Sequence, residues 1–375
     1  MHRILVAGAG HIGSLVAELL TATDCYRVTI VDRDELALAR LRDLAGVETL
    51  CASVTDHEAM VAAMHGCFAV LSAAPYAVTG AIARAAHAAG VHYLDLTEDV
   101  ATTRLVKALA SDATHALIPQ CGLAPGFISI VGMELARRFD TLDSLRLRVG
   151  ALPQFPSNAL GYNLTWSTAG VINEYCQPCE AIVDGRRMLV PPLEQLEHFA
   201  LEGVQYEAFN TSGGLGTLCD TLEGQVRHLN YRTIRYPGHR DAMQMLLQDL
   251  RLAERPGLLA ELLEHALPET PQDVVVIFAT ATGRRGGRTW QESFAHRVHP
   301  TVLAGREWTA IQVTTASSIC AVLDLLAEGR LPDRGFLRQE DIRLADFLGN
   351  RFGRVYASDG ASADLPGLAP LRAAS

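Results

Sequence analysis

The segment "YRTIRYPGH" sets Arg235, Tyr236 and His239 at the junction between a strand-like run and the amphipathic stretch "HRDAMQMLLQDL". A guanidinium there can grip a carboxylate through two parallel hydrogen bonds. An imidazole titrates near neutral pH, and Pro237 with Gly238 demands a turn. An arginine at a strand end can equally sit in a surface salt bridge. Three more segments carry groups of this kind. "CGLAPGF" puts Cys121 after a strand and near the start of a helix, where the helix dipole could polarise a thiol or the side chain could simply pack. "GYNLTWST", with Tyr162, Asn163, Trp166 and Ser167, reads as a pocket wall or as the hydrophobic lead-in to the helix "TAGVINEY". "NTSGGLGTLCDTLEG", with Thr211 as its second residue, reads as a backbone anion site before a helix or as a plain surface connection.

Counts narrow the chemistry. Lys107 is the only lysine in the chain, and it falls in "RLVKALA", a helix expected to face solvent, so a lysine-based mechanism is not expected. Eight cysteines without framework spacing suit a reducing compartment. Cys176 and Cys179 form a lone CxxC with no second ligand pair; ordinary packing is expected there, and no metal. The formal net charge of −10 disfavours nucleic acid and anionic membranes as partners. No apolar run is expected to be long and uninterrupted enough to span a bilayer, and "MHRILVAGAGHIG" reads as a first strand rather than a targeting segment. A small-molecule partner and a cytoplasmic location are the expectations.

The elements that must position these groups fall into two halves, and 375 residues suffice for two domains. In the first half, "RILVAG", "YRVTIV", "VETLC", "FAVLSA", "VHYLDL" and "THALIPQ" alternate with helical segments, which predicts βαβ units and a doubly wound parallel sheet. Gly8, Gly10 and Gly13 form GxGxxG directly between the first strand and the first helix. Gly8 allows the tight turn, Gly10 lets backbone approach a pyrophosphate, and Gly13 allows close packing of helix on strand. His11 and Ile12 complete that anion-binding turn. Asp32 closes the second strand roughly 20 residues on, placed to accept hydrogen bonds from a ribose. Its charge would repel a 2′-phosphate, which favours NAD, while neighbouring Arg33 could tolerate one. Asp32 could instead cap a helix, although Asp34 is better placed for that. Ligands collect at the carboxyl ends of such strands. That rule adds Ser53, Val54, Ala73, Ala74, Pro75, Cys121 and Gly122 as cofactor contacts, and brings Asp95 and Glu98 to the same edge.

The second half is strand-rich: "SLRLRVGAL", "EAIVDGRRMLV", "VQYEAFN", "VRHLNYRTIRY", "DVVVIFATATG", "TWQESFAHRVH" and "REWTAIQVTT". Consecutive strands predict an inserted α+β domain with a mostly antiparallel sheet. The helix in "TTASSICAVLDLLAEGRL" is expected to return to the first domain. The predicted boundaries are residues 1–124 and 313–356 for the Rossmann domain, 125–312 for a substrate-binding and dimerisation domain, and 357–375 for a flexible tail.

Together, "GAGHIG", "VLSAAPY", "YLDLTED", "CGLAPGF", "GYNLTWST" and "YRTIRYPGH" resemble the saccharopine dehydrogenase and reductase superfamily, most closely its lysine 6-dehydrogenase branch. The resemblance runs from Met1 to about Ile342. It implies an NAD(P)-linked oxidoreductase working at a carbon–nitrogen bond, with an inserted domain that binds substrate and builds a homodimer. That branch oxidises the ε-amine of L-lysine, giving NADH, ammonia and an aldehyde that cyclises to a piperideine carboxylate. The alternatives are a saccharopine-type or carboxynorspermidine-type reductase that reduces an imine, and, outside enzymes, a protein that senses NAD without turnover. For such a reaction the candidate bases are His239, Glu98, Asp95 and Cys121, His239 first for its intrinsic pKa. Arg235 would hold the substrate carboxylate, with Tyr162, Trp166, Tyr236 and Thr211 as further substrate contacts.

Overall fold

The computed structural model describes residues 1–303 and 305–357, so the predicted tail lies, from residue 358 on, outside the described residues. The chain divides into two compact units. One comprises Met1–Ile130, Leu303–Arg306 and the chain from Gln312 onward; the other comprises Val131–Val302 and Glu307–Ile311.

In the first unit, β1 (His2–Ala7), β2 (Tyr26–Asp32), β3 (Val47–Cys51), β4 (Ala69–Ser72), β5 (His92–Asp95) and β6 (Ala116–Ile118) alternate with helices. Those helices are α1 (His11–Thr21), α2 (Glu35–Ala39), α3 (His57–Met64), α4 (Tyr76–Ala89) and α5 (Val100–Leu109). The strands pair in the order β6-β5-β4-β1-β2-β3, all parallel, and a short strand at Gly335–Phe336 adds to β6. A parallel sheet covered on both faces needs strands that are apolar throughout, and Ile4, Leu5, Val6 and Ala7 are all fully buried. The order reverses between β1 and β4, which is where such sheets bind nucleotides. Asp34, Asp56 and Asp99 accept hydrogen bonds from the first-turn amides of α2, α3 and α5. Asp34 is therefore the cap, and Asp32 is left for another task.

Helix α6 (Phe127–Ala136) carries the chain into the second unit, which contains β7 (Thr141–Pro153), α7 (Thr168–Cys176), β8 (Cys179–Val183), β9 (Arg186–Val190), β10 (Glu197–Leu201) and β11 (Val204–Asn210). There follow α8 (Leu218–Leu222), β12 (Val226–Arg235), α9 (His239–Gln244), α10 (Pro256–Ala266), β13 (Asp273–Arg285) and β14 (Arg288–Val298). The main sheet runs β10-β11-β12-β7-β13-β14. Its pairs are antiparallel except β12 with β7, which is parallel. Several elements separate β7 from β12, long enough for the crossover that a parallel pair requires. Glu197 on β10 pairs with Arg148 on β7 and Arg232 on β12. The Arg148 guanidinium also lies over the Phe278 and Phe199 rings.

One predicted strand is absent. In "REWTAIQVTT" only Arg306–Trp308 is extended, and α11 (Ala310–Ala327) begins at once. Asp273 explains the early start: its Oδ1 accepts the Ala310 amide at 2.6 Å and its Oδ2 the Ile311 amide at 2.9 Å, satisfying helix-end donors from a distant strand.

Candidate active site

The carboxyl edge of the first unit's sheet is built as a nucleotide cradle. Gly8 has φ +109, and a Cβ on it would meet Ala73 O at 2.8 Å; a Cβ on Gly13 would lie 1.8 Å from Gly8 O. Around Gly10 nothing lies within 4 Å of that position. The first and third glycines are thus required by packing, and the second leaves open the approach that a pyrophosphate would take. Asp32 Oδ2 accepts the Ala9 amide at 2.7 Å and Oδ1 the Asp34 amide at 2.9 Å. The carboxylate is held at the rim with lone pairs to spare for a ribose. His11 and Ile12 open α1, with Arg33 following Asp32. Ser53 and Val54 follow β3, and Ala73, Ala74 and Pro75 follow β4. All therefore stand at this edge, and the residues fit a dinucleotide.

Further along the edge, Asp95 is fully buried and saturated. Its Oδ1 accepts the Thr97 and Gln120 amides at 3.0 and 2.8 Å, and its Oδ2 accepts the Tyr93 hydroxyl at 2.8 Å. Burial pushes its pKa up to about 6, against those hydrogen bonds. The geometry assigns Asp95 to tying the loop after β6 onto β5, rather than to proton exchange with a substrate. Cys121 is also fully buried, with its thiol 3.1 Å from Ile118 O and receiving Gln339 Nε2 at 3.2 Å. Burial and the Asp95 charge hold the thiol well above its ordinary pKa. The polarised thiolate considered from sequence is not what the fold makes, and the packing alternative describes this residue. Gly122 O accepts the Ser318 hydroxyl of α11 at 2.9 Å. Glu98 differs from both acids: it is only partly buried, and burial lifts its carboxyl above the usual range. Lys107 lies on the exposed side of α5.

In the second unit, the "YRTIRYPGH" junction closes on itself. Arg235 is 2% exposed and His239 1%. Arg235 Nε donates to the Tyr175 hydroxyl at 2.9 Å and Nη1 to Ile234 O at 2.8 Å. The Tyr175 hydroxyl is 3.0 Å from His239 Nε2, and His239 Nδ1 is 2.9 Å from Leu160 O. A carbonyl only accepts, so Nδ1 carries the proton. Nε2 then accepts from Tyr175, whose oxygen accepts from Arg235. Burial, with the Arg235 charge adding to it, depresses the His239 pKa to about 3. This corrects the first choice for a base: the His239 lone pair is already used and its imidazole stays neutral.

No carboxylate among the described residues lies within ion-pair distance of Arg235; the Tyr162 ring sits 5.1 Å from its Cζ, and Glu174 acts on it only through space. The surface salt bridge is therefore excluded. Tyr236 does not join the cluster, since its hydroxyl donates to Pro153 O at 2.9 Å and its ring stacks on Tyr206. Trp166 lies against the first turn of α7, where a Cβ on Gly170 would fall 2.4 Å from its ring. Ser167 caps that helix. These two contacts make Trp166 and Ser167 the lead-in to α7. Thr211 and Asn163 are buried, and Thr211 Oγ1 and Asn163 Oδ1 have no hydrogen-bond partner among the described residues. The glycine-rich loop after Thr211 is shaped by packing, because a Cβ on Gly214 would strike the Tyr231 ring. It leads only into the five-residue α8, so the anion-site reading is set aside. Cys176 and Cys179 end α7 and open β8 as free thiols.

Sequence reasoning missed Tyr175 and Glu207. Glu207 on β11 holds the turn, its Oε2 accepting the Gly238 amide at 2.8 Å and its Oε1 the Arg240 amide at 2.6 Å. Gly238, at φ +97, takes the conformation this needs. A lone acid inside the apolar run "VQYEAFN" was the available signal, because buried carboxylates are rare unless partnered. Tyr175 offered none.

The parallel sheet and its glycine turn define a dinucleotide-binding domain followed in sequence by a second, mixed-sheet unit. The profile described as "Saccharopine dehydrogenase NADP binding domain" matches residues 4–118, and that described as "Saccharopine dehydrogenase C-terminal domain" matches residues 122–350. The chain belongs to the saccharopine dehydrogenase family. Among curated proteins it is similar to the mitochondrial alpha-aminoadipic semialdehyde synthase of Bos taurus, 23% identical over 191 residues, or 49% of this chain and 21% of that one. The Mus musculus protein is 23% identical over 252 residues, covering 61% of this chain and 27% of that one. The chain thus spans about a quarter of the length of these relatives. Among solved structures it is similar in fold to apo saccharopine dehydrogenase (L-Glu forming) from Saccharomyces cerevisiae. The TM-score is 0.75 at 16% identity, over 91% of this chain and 94% of that one. These matches support the superfamily and do not single out the lysine 6-dehydrogenase branch.

Proposed function

We propose that the protein is a NAD-dependent dehydrogenase that oxidises the ε-amine of L-lysine, or of a similar ω-amino acid, releasing ammonia and a semialdehyde that cyclises. The observation that carries the reading is a dinucleotide cradle with Asp32 at its rim, in a chain whose second unit buries the Arg235 guanidinium with no carboxylate at ion-pair distance among the described residues. A buried charge left unpaired is costly, and a substrate carboxylate is the partner that would relieve it. Bound NAD would supply the hydride acceptor. Glu98 takes the ammonium proton and later activates water, being the acid at this edge that is both partly accessible and raised in pKa. Asp95 and Cys121 keep the loop after β6 in place. Asp32 supports NAD over NADP through its charge, against the NADP named in the family description.

A saccharopine-type reductase is the second reading, favoured by the family match and by the fold of the yeast enzyme. Incubating the protein with NAD and L-lysine, ornithine, cadaverine or saccharopine, and following the absorbance of reduced cofactor, separates the two. Lysine-dependent reduction supports the first reading and saccharopine-dependent reduction the second; tight NAD binding without turnover supports a sensing role instead. The homodimer is likewise proposed through the second unit's sheet, where β14 ends as an edge strand. A monomer by light scattering at micromolar concentration would remove it.

A further inference from the structure

Three residues of the second unit, contributed by α7, β12 and the start of α9, form one chain of hydrogen bonds running Arg235 to Tyr175 to His239 to Leu160 O. Only its first member carries charge. Tyr175 occupies the Nε edge of the guanidinium, and Ile234 O occupies Nη1. The Tyr162 ring covers the Cζ at 5.1 Å, and Phe209 stacks on His239 at 11° between ring planes. The hydrogen bonds that fix the cation in position and orientation all go to neutral groups, while Glu174 acts on it through space without an ion pair. Two buried side chains near this chain of bonds have unused polar atoms: Asn163, next in sequence to Tyr162, and Thr211. The residue after Thr211, Ser212, donates its amide to Glu174 O beside Tyr175.

We propose that Tyr175 and His239 are positioning residues that hold Arg235 as a receptor for a carboxylate, so that selection for carboxylate-bearing ligands depends on two residues that do not touch the ligand. The inference rests on the amino-acid reading of the second unit and specifies how that reading is built. It requires Tyr175 to act through Arg235. If the hydroxyl oxygen is removed, Nε loses its acceptor and the guanidinium loses the orientation that offers a planar fork. His239 matters at one remove, as the acceptor that keeps the Tyr175 proton pointing away from Arg235 and its oxygen lone pair toward it.

The test is equilibrium binding of pentanoate, a carboxylate without an amine, to the intact chain by titration calorimetry. Wild type should bind it, and Tyr175→Phe, which keeps the ring and loses one oxygen, should weaken binding about tenfold or more. His239→Asn should weaken it in the same direction. The decisive readout is coupling, since Tyr175→Phe should matter far less once Arg235→Lys has removed the fork. Unchanged NAD affinity in each variant shows that the first unit is intact. Equal effects of Tyr175→Phe in both backgrounds, or no pentanoate binding by wild type at roughly 10 mM ligand, overturn the proposal. The two readings fail separately. Lysine turnover with pentanoate affinity indifferent to Tyr175 sinks this inference alone; pentanoate binding that follows Tyr175 without any amine oxidation sinks the lysine reading alone.

Discussion

The neutral His239 makes a prediction about acid that can be worked from the structure. The imidazole is buried beside a guanidinium, with its pKa pushed to about 3, whereas in the unfolded chain it would titrate at about 6.5. A histidine with a depressed folded pKa contributes stability that is present in full above about pH 6.5 and is lost as pH falls toward 3. The slope between those limits is about 1.4 kcal/mol per pH unit, and the whole window is worth about 5 kcal/mol. Asp273, in the same unit, works the other way. Burial raises its pKa from 3.8 to about 6, so its contribution is fully present below 3.8 and lost as pH rises through 6, worth about 3 kcal/mol. The two oppose each other, and Asp95 and His299 shift in the same range, so the wild-type curve alone does not isolate the histidine. His239→Asn isolates the term: it keeps a donor for Leu160 O, loses the acceptor for Tyr175, and cannot titrate. Its stability deficit should be largest near pH 7 and shrink by about 1.4 kcal/mol for each unit below 6.5. Urea unfolding followed by tryptophan fluorescence measures this cleanly, because Trp166, Trp290 and Trp308 all lie in the second unit. A deficit that stays constant between pH 7 and 4 would refute the reasoning and place a charged or solvent-exposed imidazole at this position.

Four other outcomes follow from the first unit. Asp32→Ser should narrow or reverse the preference for NAD by removing the repulsion of a 2′-phosphate; a wild type that already uses NADP better would show that Asp32 has been misread. Gly13→Ala should destabilise the protein, because its Cβ would lie 1.8 Å from Gly8 O, whereas Gly10→Ala should melt like wild type and lose only cofactor affinity. Equal melting losses for the two would contradict the open approach at Gly10. Lys107→Arg should leave turnover nearly unchanged, since it keeps the charge on an exposed helix face, and a large fall in kcat with folding intact would restore lysine catalysis. Glu98→Gln should lower kcat by about a hundredfold or more and remove the acid limb of the pH profile; a limb that persists assigns the base to another group.

The two units differed in how much of them could be read from sequence, and the difference is one of contact range. In the first, each inference rested on neighbours. Strand and helix alternate within a few tens of residues, GxGxxG lies within one turn, and Asp34 was picked as the cap from its place before a helix. In the second, the deciding contacts are distant. Asp273 sets the start of α11 from 37 residues away, and no local pattern in "TAIQVTT", rich in β-branched residues, announces a helix. The β7 and β12 pairing is parallel because of what intervenes between them, while each strand by itself reads as antiparallel. Tyr175 reaches His239 across 64 residues and takes its Nε2 lone pair, while burial, with the Arg235 charge adding to it, keeps the imidazole neutral.

The same contact also reorders the site. Type and position put His239 ahead of Glu98, Asp95 and Cys121 as candidates for moving a proton, and burial alone does not re-rank them, because it raises the pKa of acids and thiols while lowering that of histidine. What separates them is whether a lone pair remains available. His239 has spent its own on Tyr175, and Asp95 holds three donors in a fully buried pocket. The Cys121 thiol is directed at a backbone carbonyl and carries Gln339 on its sulfur. Glu98 alone combines a raised pKa with partial exposure. The saturated groups have structural uses within their own units: Asp95 and Cys121 fix the loop after β6 in the first, and His239 holds Tyr175 beside Arg235 in the second, which leaves Glu98 as the proposed proton carrier.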